Sequence, residues 1–353
     1  MKKIPYLDGW RGLAIVSVLA AHFGPVPLRW AGLFGVLLFF VLSGVFMAQL
    51  LFIRKIDLPT FFVRRFSRVM PTFILFVLCM LVYGAFFQPT PYIPAASELF
   101  YTLTFLRSYL PPDSNIWSAK WVISHIWSLN VEEHSYIALA CIALLTSRIR
   151  DRNVLPLALG ASTITLLALN IHYLRHPLPV GDAYASNWHI QTHFVALGLV
   201  ASSTFRVIKS VYSHSILTRA HWALTLIVLG VAVFCGKYYS YRGLHITVVP
   251  LCLAYVVNHL DTMPDLFKKG LAFPLLGWFG RCSFSIYLWQ QPYFLLVERN
   301  GASPSVYLAF AIATGAASYY LFENPVRIFL NRCWDKRIRS RSPVAVSSTT
   351  VAP

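Results

Sequence analysis

Arg11 and His22 bracket an otherwise apolar stretch, RGLAIVSVLAAH, and lie eleven positions apart. Eleven helical steps of about 100° make three turns plus about 20°, so both side chains fall on one stripe, about 16 Å apart along the axis. An imidazole with a pKa near ~6.5 is the usual base for removing a hydroxyl proton at neutral pH. Further along, SHIWSLNVEEHSY puts Glu132 and Glu133 inside another apolar segment. Carboxylates at that depth are costly unless paired or facing a cavity, and Arg11 or His22 would be natural partners. FFVRRFSRVMP sets Arg65 and Arg68 three apart, on one helix face, as a phosphate-binding fork requires. Each group also has a plainer reading. An arginine snorkels, a histidine is satisfied in a core, and paired arginines anchor a span at its inner edge.

These groups sit in a chain of 353 residues that is 57% hydrophobic and only 12% charged. Soluble domains average about 25% charged residues, so the composition points to an all-α polytopic membrane protein. A bilayer core takes about 20 apolar residues per helix. Ten segments qualify: 8–26, 31–53, 69–87, 124–146, 154–172, 188–205, 220–236, 243–261, 272–297 and 304–322. With a cytoplasmic N-terminus, loop Lys and Arg favour the inside by about three to one, which predicts ten helices with both termini cytoplasmic. The same asymmetry accounts for a net charge of +17 without any nucleic acid. The six cysteines have no ligand-like spacing and read as buried apolar filler.

The long connection 88–123 has an apolar middle, 95–110, between proline-rich turns. Counted as a span it would invert every later loop, so an interfacial or re-entrant helix is expected, either a cover over an acceptor site or a plain connector. The basic segment 327–353 is expected to be a disordered cytoplasmic tail following a membrane domain of 1–326. His172, His176, Asp182, His189 and His193 gather around the loop between the fifth and sixth spans. His189 and His193 are spaced i,i+4, but a third ligand is lacking. They read as polar lining of an extracytoplasmic entrance, and no metal is assigned.

Taken in order, these motifs resemble the membrane acyltransferase 3 family of acyl-CoA-dependent O-acyltransferases. The likeness runs from residue 5 to about residue 327 through YLDGWRGLAIVSVLAAH, GVLLFFVLSG, RRFSRVMP, HIWSLNVEEHSY, LGWFGRCSFSIYLWQQP and FENPVR. The resemblance implies that His22 is the essential histidine and Arg11 its basic partner. It implies that Arg65 and Arg68 bind acyl-CoA phosphates, and that Glu132, Glu133, Ser43, Trp127, Tyr287 and Glu323 occupy other recurrent positions. Two places depart from the family pattern. Gln290 and Gln291 precede Pro292 where a histidine is common, and His134 and Ser135 stand where Gln and Phe are common.

The expectation is an inner-membrane, multi-pass enzyme that moves an acyl group from cytosolic acyl-CoA to a carbohydrate or glycolipid hydroxyl outside. Acetyl is the commonest acyl group in the family. No motif of a fused SGNH hydrolase-like domain follows the membrane part. Transfer is therefore expected to be direct, or to use a separate periplasmic transferase, with a homodimer as a further arrangement. The alternative is a proton-coupled transporter, which also carries intramembrane Arg, His and Glu. A carrier needs no site for coenzyme A.

Overall fold

A computed structural model describes residues 4–88, 90–107, 121–176, 183–212, 221–238, 242–301 and 303–341. Among these residues the fold is all helical, with no strand. In chain order the helices are α1 (Pro5–Phe23), α2 (Trp30–Met47), α3 (Leu58–Phe86), α4 (Ala96–Leu103), α5 (Trp127–Thr146), α6 (Val154–Arg175) and α7 (Ala183–Val211). They continue as α8 (Trp222–Lys237), α9 (Arg242–Asn258), α10 (Asp265–Leu271), α11 (Pro274–Asn300), α12 (Pro304–Ser318) and α13 (Asn324–Arg341).

Local chemistry sets many of these boundaries. Prolines occupy the first turns of α1, α3, α11 and α12, where the missing N–H costs nothing. Asp57 caps α3 by accepting the Thr60 amide at 2.9 Å. Gly301 ends α11 in the left-handed conformation at φ 61°. Two short π-helical segments, Ala48–Ile53 after α2 and Tyr319–Glu323 after α12, interrupt the regular winding.

The core forms where α1 packs between α2 and α11, with α7 and α9 completing it on the far side of α2. Trp10 is buried there and donates its indole N–H to the Leu38 carbonyl at 3.1 Å. Small residues let α1 and α11 touch backbone to backbone. A Cβ built on Gly12 would lie 2.0 Å from the Leu276 carbonyl oxygen, and one on Gly280 would lie 1.9 Å from that of Asp8.

All ten segments expected to span fall on helices. By length and composition, four helical stretches are candidate membrane spans: Val26–Ile53, Leu58–Phe86, Val154–His172 and Pro304–Ile338. Counting the pair α10 and α11, bent by 50°, as one span raises the number to five; α8 and Gly243–Asn258 are shorter apolar helices. Apolar side chains such as Leu78, Leu157, Ile227, Phe310 and Leu321 are exposed along these helices, as lipid-facing side chains are.

The helix expected in the middle of 88–123 is present, in shorter form, and three other expectations change. Helix α3 begins at Leu58 rather than 69, because the Asp57 cap starts it a full three turns earlier. The apolar middle of 88–123 holds one short helix, α4, while residues 108–120 lie outside the described residues. Residues 327–341 are helical instead of disordered. In α13, Trp334 donates to the Thr60 hydroxyl at 3.1 Å, Asn331 accepts from Ser67 at 3.1 Å, and Asp335 lies 3.7 Å from Arg64. Cysteine burial is uneven: Cys235 and Cys282 are buried, Cys79 and Cys252 intermediate, and Cys141 and Cys333 exposed.

Candidate active site

Helix α1 carries two polar centres, one near each end. At its first turns Arg11 lines a cavity of ≈ 760 Å³ together with Asp8, Ser43, Arg65, Arg68, Glu132 and Arg327. Phe39, Phe40, Met47 and Phe284 supply apolar wall, and Ser128, Tyr136 and Tyr287 add hydroxyls. The cavity is thus cationic and carboxylate-bearing in one part and oily in another.

The expected partner of Glu132 was Arg11 or His22, but the structure pairs it with Arg65. Arg65 Nη2 lies 3.1 Å from Glu132 and 2.7 Å from Glu133, and its Nε donates to Glu133 at 2.8 Å. The early start of α3 is the reason, since it brings Arg65 as a helical residue alongside α5. Ser43 donates to Glu132 at 2.8 Å, Tyr136 also donates to it, and the Arg65 guanidinium lies over the Tyr136 ring at 4.2 Å. Tyr136, four residues after Glu132, was legible from the i,i+4 spacing but was not singled out.

Arg65 is therefore the ion partner of two carboxylates, while Arg68 faces the same cavity one turn on. Arg11 rests on the Phe46 ring at 4.8 Å. Arg327, also missed, enters from α13 and is held by Asn324 at 2.7 Å. Buried Glu323 closes this end from the π-helical segment, accepting from Ser285 at 2.6 Å within electrostatic reach of Arg68, Arg327 and Arg11.

His22 lies outside the lining of this cavity, on the last turn of α1. Its Nδ1 is 2.5 Å from Gln290 Oε1, and its ring stacks on Phe294 with centroids 4.2 Å apart. Gln290 Nε2 donates to Gln291 Oε1 at 3.4 Å, and Gln291 Nε2 to Ser124 at 3.3 Å. Between the two centres, Tyr287 is 2.7 Å from Ser128 and donates to the His125 carbonyl at 2.9 Å. Trp127 opens α5 and packs, half-buried, against the core. Two hydrogen-bonded polar clusters thus lie in the bundle, one around Tyr287 and one around His22.

Of the histidine cluster, His172 and His176 stand with ring centroids 4.8 Å apart. Asp182 and the side chains of His189 and His193 lie outside the described residues. Among the described residues, no three His, Cys, Asp or Glu side chains are grouped to hold a metal ion.

A family model described as "Acyltransferase domain" matches residues 4–323. Peptidoglycan O-acetyltransferase OatA of Listeria monocytogenes is 23% identical, over 92% of this chain and 56% of that protein. O-acetyltransferase OatA of Staphylococcus aureus is 26% identical, over 92% of this chain and 57% of its own. A putative peptidoglycan O-acetyltransferase, YrhL of Bacillus subtilis, is 26% identical over 95% and 56%. The chain spans about half the length of these relatives. No solved structure matches it.

Proposed function

Because this chain belongs to the Acyltransferase domain family, we propose that it is an integral membrane O-acyltransferase, moving an acetyl group from cytosolic acetyl-CoA to a carbohydrate hydroxyl on the other side. In this reading ten helices cross the inner membrane and both termini are cytoplasmic, as the charge asymmetry favours. The relatives named for peptidoglycan O-acetylation make a cell-envelope glycan the first acceptor to test.

The observation that carries the proposal is the division of labour along α1. Its cytoplasmic end opens on a cavity with Arg11, Arg68 and Arg327, cations suited to the phosphates of coenzyme A. Its far end holds a half-buried histidine in a fixed orientation. The acceptor hydroxyl attacks the thioester carbonyl as His22 takes its proton. The new C–O bond forms, the C–S bond breaks, and the departing thiolate receives the proton back from the imidazolium. Arg65 acts here as a structural partner of Glu132 and Glu133 more than as a donor-binding group, which narrows the expected pair of arginines to Arg68.

The test is acetyl-CoA consumption with an acceptor glycan in proteoliposomes. His22→Ala should abolish transfer while the protein stays inserted and folded. Transfer at the wild-type rate by that variant would remove His22 from the chemistry. Flux of an unmodified solute without release of free coenzyme A would favour a proton-coupled carrier instead.

A further inference from the structure

We propose that Gln290 is a positioning residue that fixes which nitrogen of His22 is basic. This rests on the reading of His22 as the base. Gln290 is fully buried, and its Oε1 lies 2.5 Å from His22 Nδ1. A carbonyl oxygen can only accept, so Nδ1 carries the imidazole's proton and Nε2 keeps its lone pair. A hydroxyl proton is therefore taken at Nε2.

The rest of the chain supports that direction. Gln290 donates to Gln291, and Gln291 donates to Ser124. Turning Gln290 alone would set its carbonyl against the Gln291 carbonyl, two acceptors facing each other with no proton between them. Phe294, one turn beyond Gln290 on α11, stacks on the same imidazole with ring planes 16° apart. One turn of one helix thus sets both the edge and the face of His22. Among the described residues, the other titratable groups within electrostatic reach of the ring are Glu298 from α11 and His125 ahead of α5. A neutral amide orients the ring without adding a charge beside it, which suits a site inside a lipid-embedded bundle.

During transfer the proton arriving at Nε2 makes an imidazolium, whose Nδ1–H still donates to Gln290. When that proton passes to the coenzyme A thiolate, the starting tautomer returns. Gln290 itself neither gains nor loses a proton.

Steady-state kinetics and ¹⁵N spectra of histidine-labelled protein test this together. Gln290→Leu, which removes the acceptor, should lower kcat by about tenfold to a hundredfold with KM for acetyl-CoA unchanged. Gln290→Glu, which keeps an oxygen in place, should recover most of that loss. The ¹⁵N signals that vanish in His22→Ala should report an Nδ1–H tautomer in the native protein and a mixture in Gln290→Leu. If the Leu variant does not fold, Gln290→Asn pulls the carbonyl back by one methylene and should show the same kinetic split. Native kcat and an unchanged tautomer in these variants, with His22→Ala inactive, would overturn the role of Gln290 and leave His22 as the base. Activity in His22→Ala would instead overturn the reading on which it rests.

Discussion

At the scale of single residues, the two arginines of RRFSR make different contacts: Arg65 pairs with two carboxylates, and Arg68 lines the cavity. Arg65 lies between Glu132 and Glu133, with little of any of the three side chains exposed. Removing one partner of a buried pair costs about 3–5 kcal/mol, because it strands the other's charge. Arg65→Ala should therefore lower the melting temperature of the detergent-solubilised protein, and Glu132→Gln with Glu133→Gln should restore part of the loss. Arg68→Ala should leave the melt nearly unchanged and raise KM for acetyl-CoA about tenfold, the scale of one charge-assisted hydrogen bond. The residue types were legible in the sequence, since ionisable groups in apolar runs stand out. The pairing was not, because it turns on where α3 begins. Arg65 and Arg68 read as sharing a helix face at the mouth of a span starting at 69, but nothing in the sequence sets that face against α5. The Asp57 cap starts the helix at Leu58, and Arg65 reaches Glu132 and Glu133. Gln290 stands out in the sequence only as a departure from the family pattern, and its partner is not legible until His22 is found against it.

Among the helices, the seam between α1 and α11 sets the distance between the cavity and His22. Gly12→Ala or Gly280→Ala puts a methyl where a carbonyl oxygen already lies. Overpacking of that kind costs about 1–3 kcal/mol. Either variant should melt earlier and lose transfer, although neither glycine touches substrate. At the start of α3, Asp57 is exposed, and the Thr60 hydroxyl and amide hold its carboxyl below the usual carboxylate range. A depressed value means that the cap is complete above pH ~4 and is lost as the pH falls through the lower folded value. Asp57→Ala should cost about 1 kcal/mol at neutral pH, with the difference from wild type shrinking in acid. Hydrophobic runs made the helices themselves legible, because length and apolarity survive any packing. The helical state of 327–341 was not, since basic residues interrupt its apolar ones and its docking against Thr60, Ser67 and Arg64 on α3 leaves no pattern in the sequence.

For the whole molecule, an apolar exterior fits a lipid surround, while the proposed orientation rests on charge placement alone. Cys333, exposed on α13, offers a direct check. In a variant retaining only this cysteine, a membrane-impermeant maleimide should label it after permeabilisation and not before. Labelling of intact cells would put the C-terminus outside. The π-helical segment Tyr319–Glu323 also reaches beyond its own turn. A π turn holds one residue more than the α-helix would. The wider turn absorbs that residue, so α13 keeps the phase that puts Arg327 in the cavity and Trp334 against Thr60. Inserting one further codon just after it would swing α13 round by about 100°. Arg327 would leave the cavity and Trp334 its dock, with every side chain chemically intact. At this point the gene should tolerate spelling changes better than a lengthening.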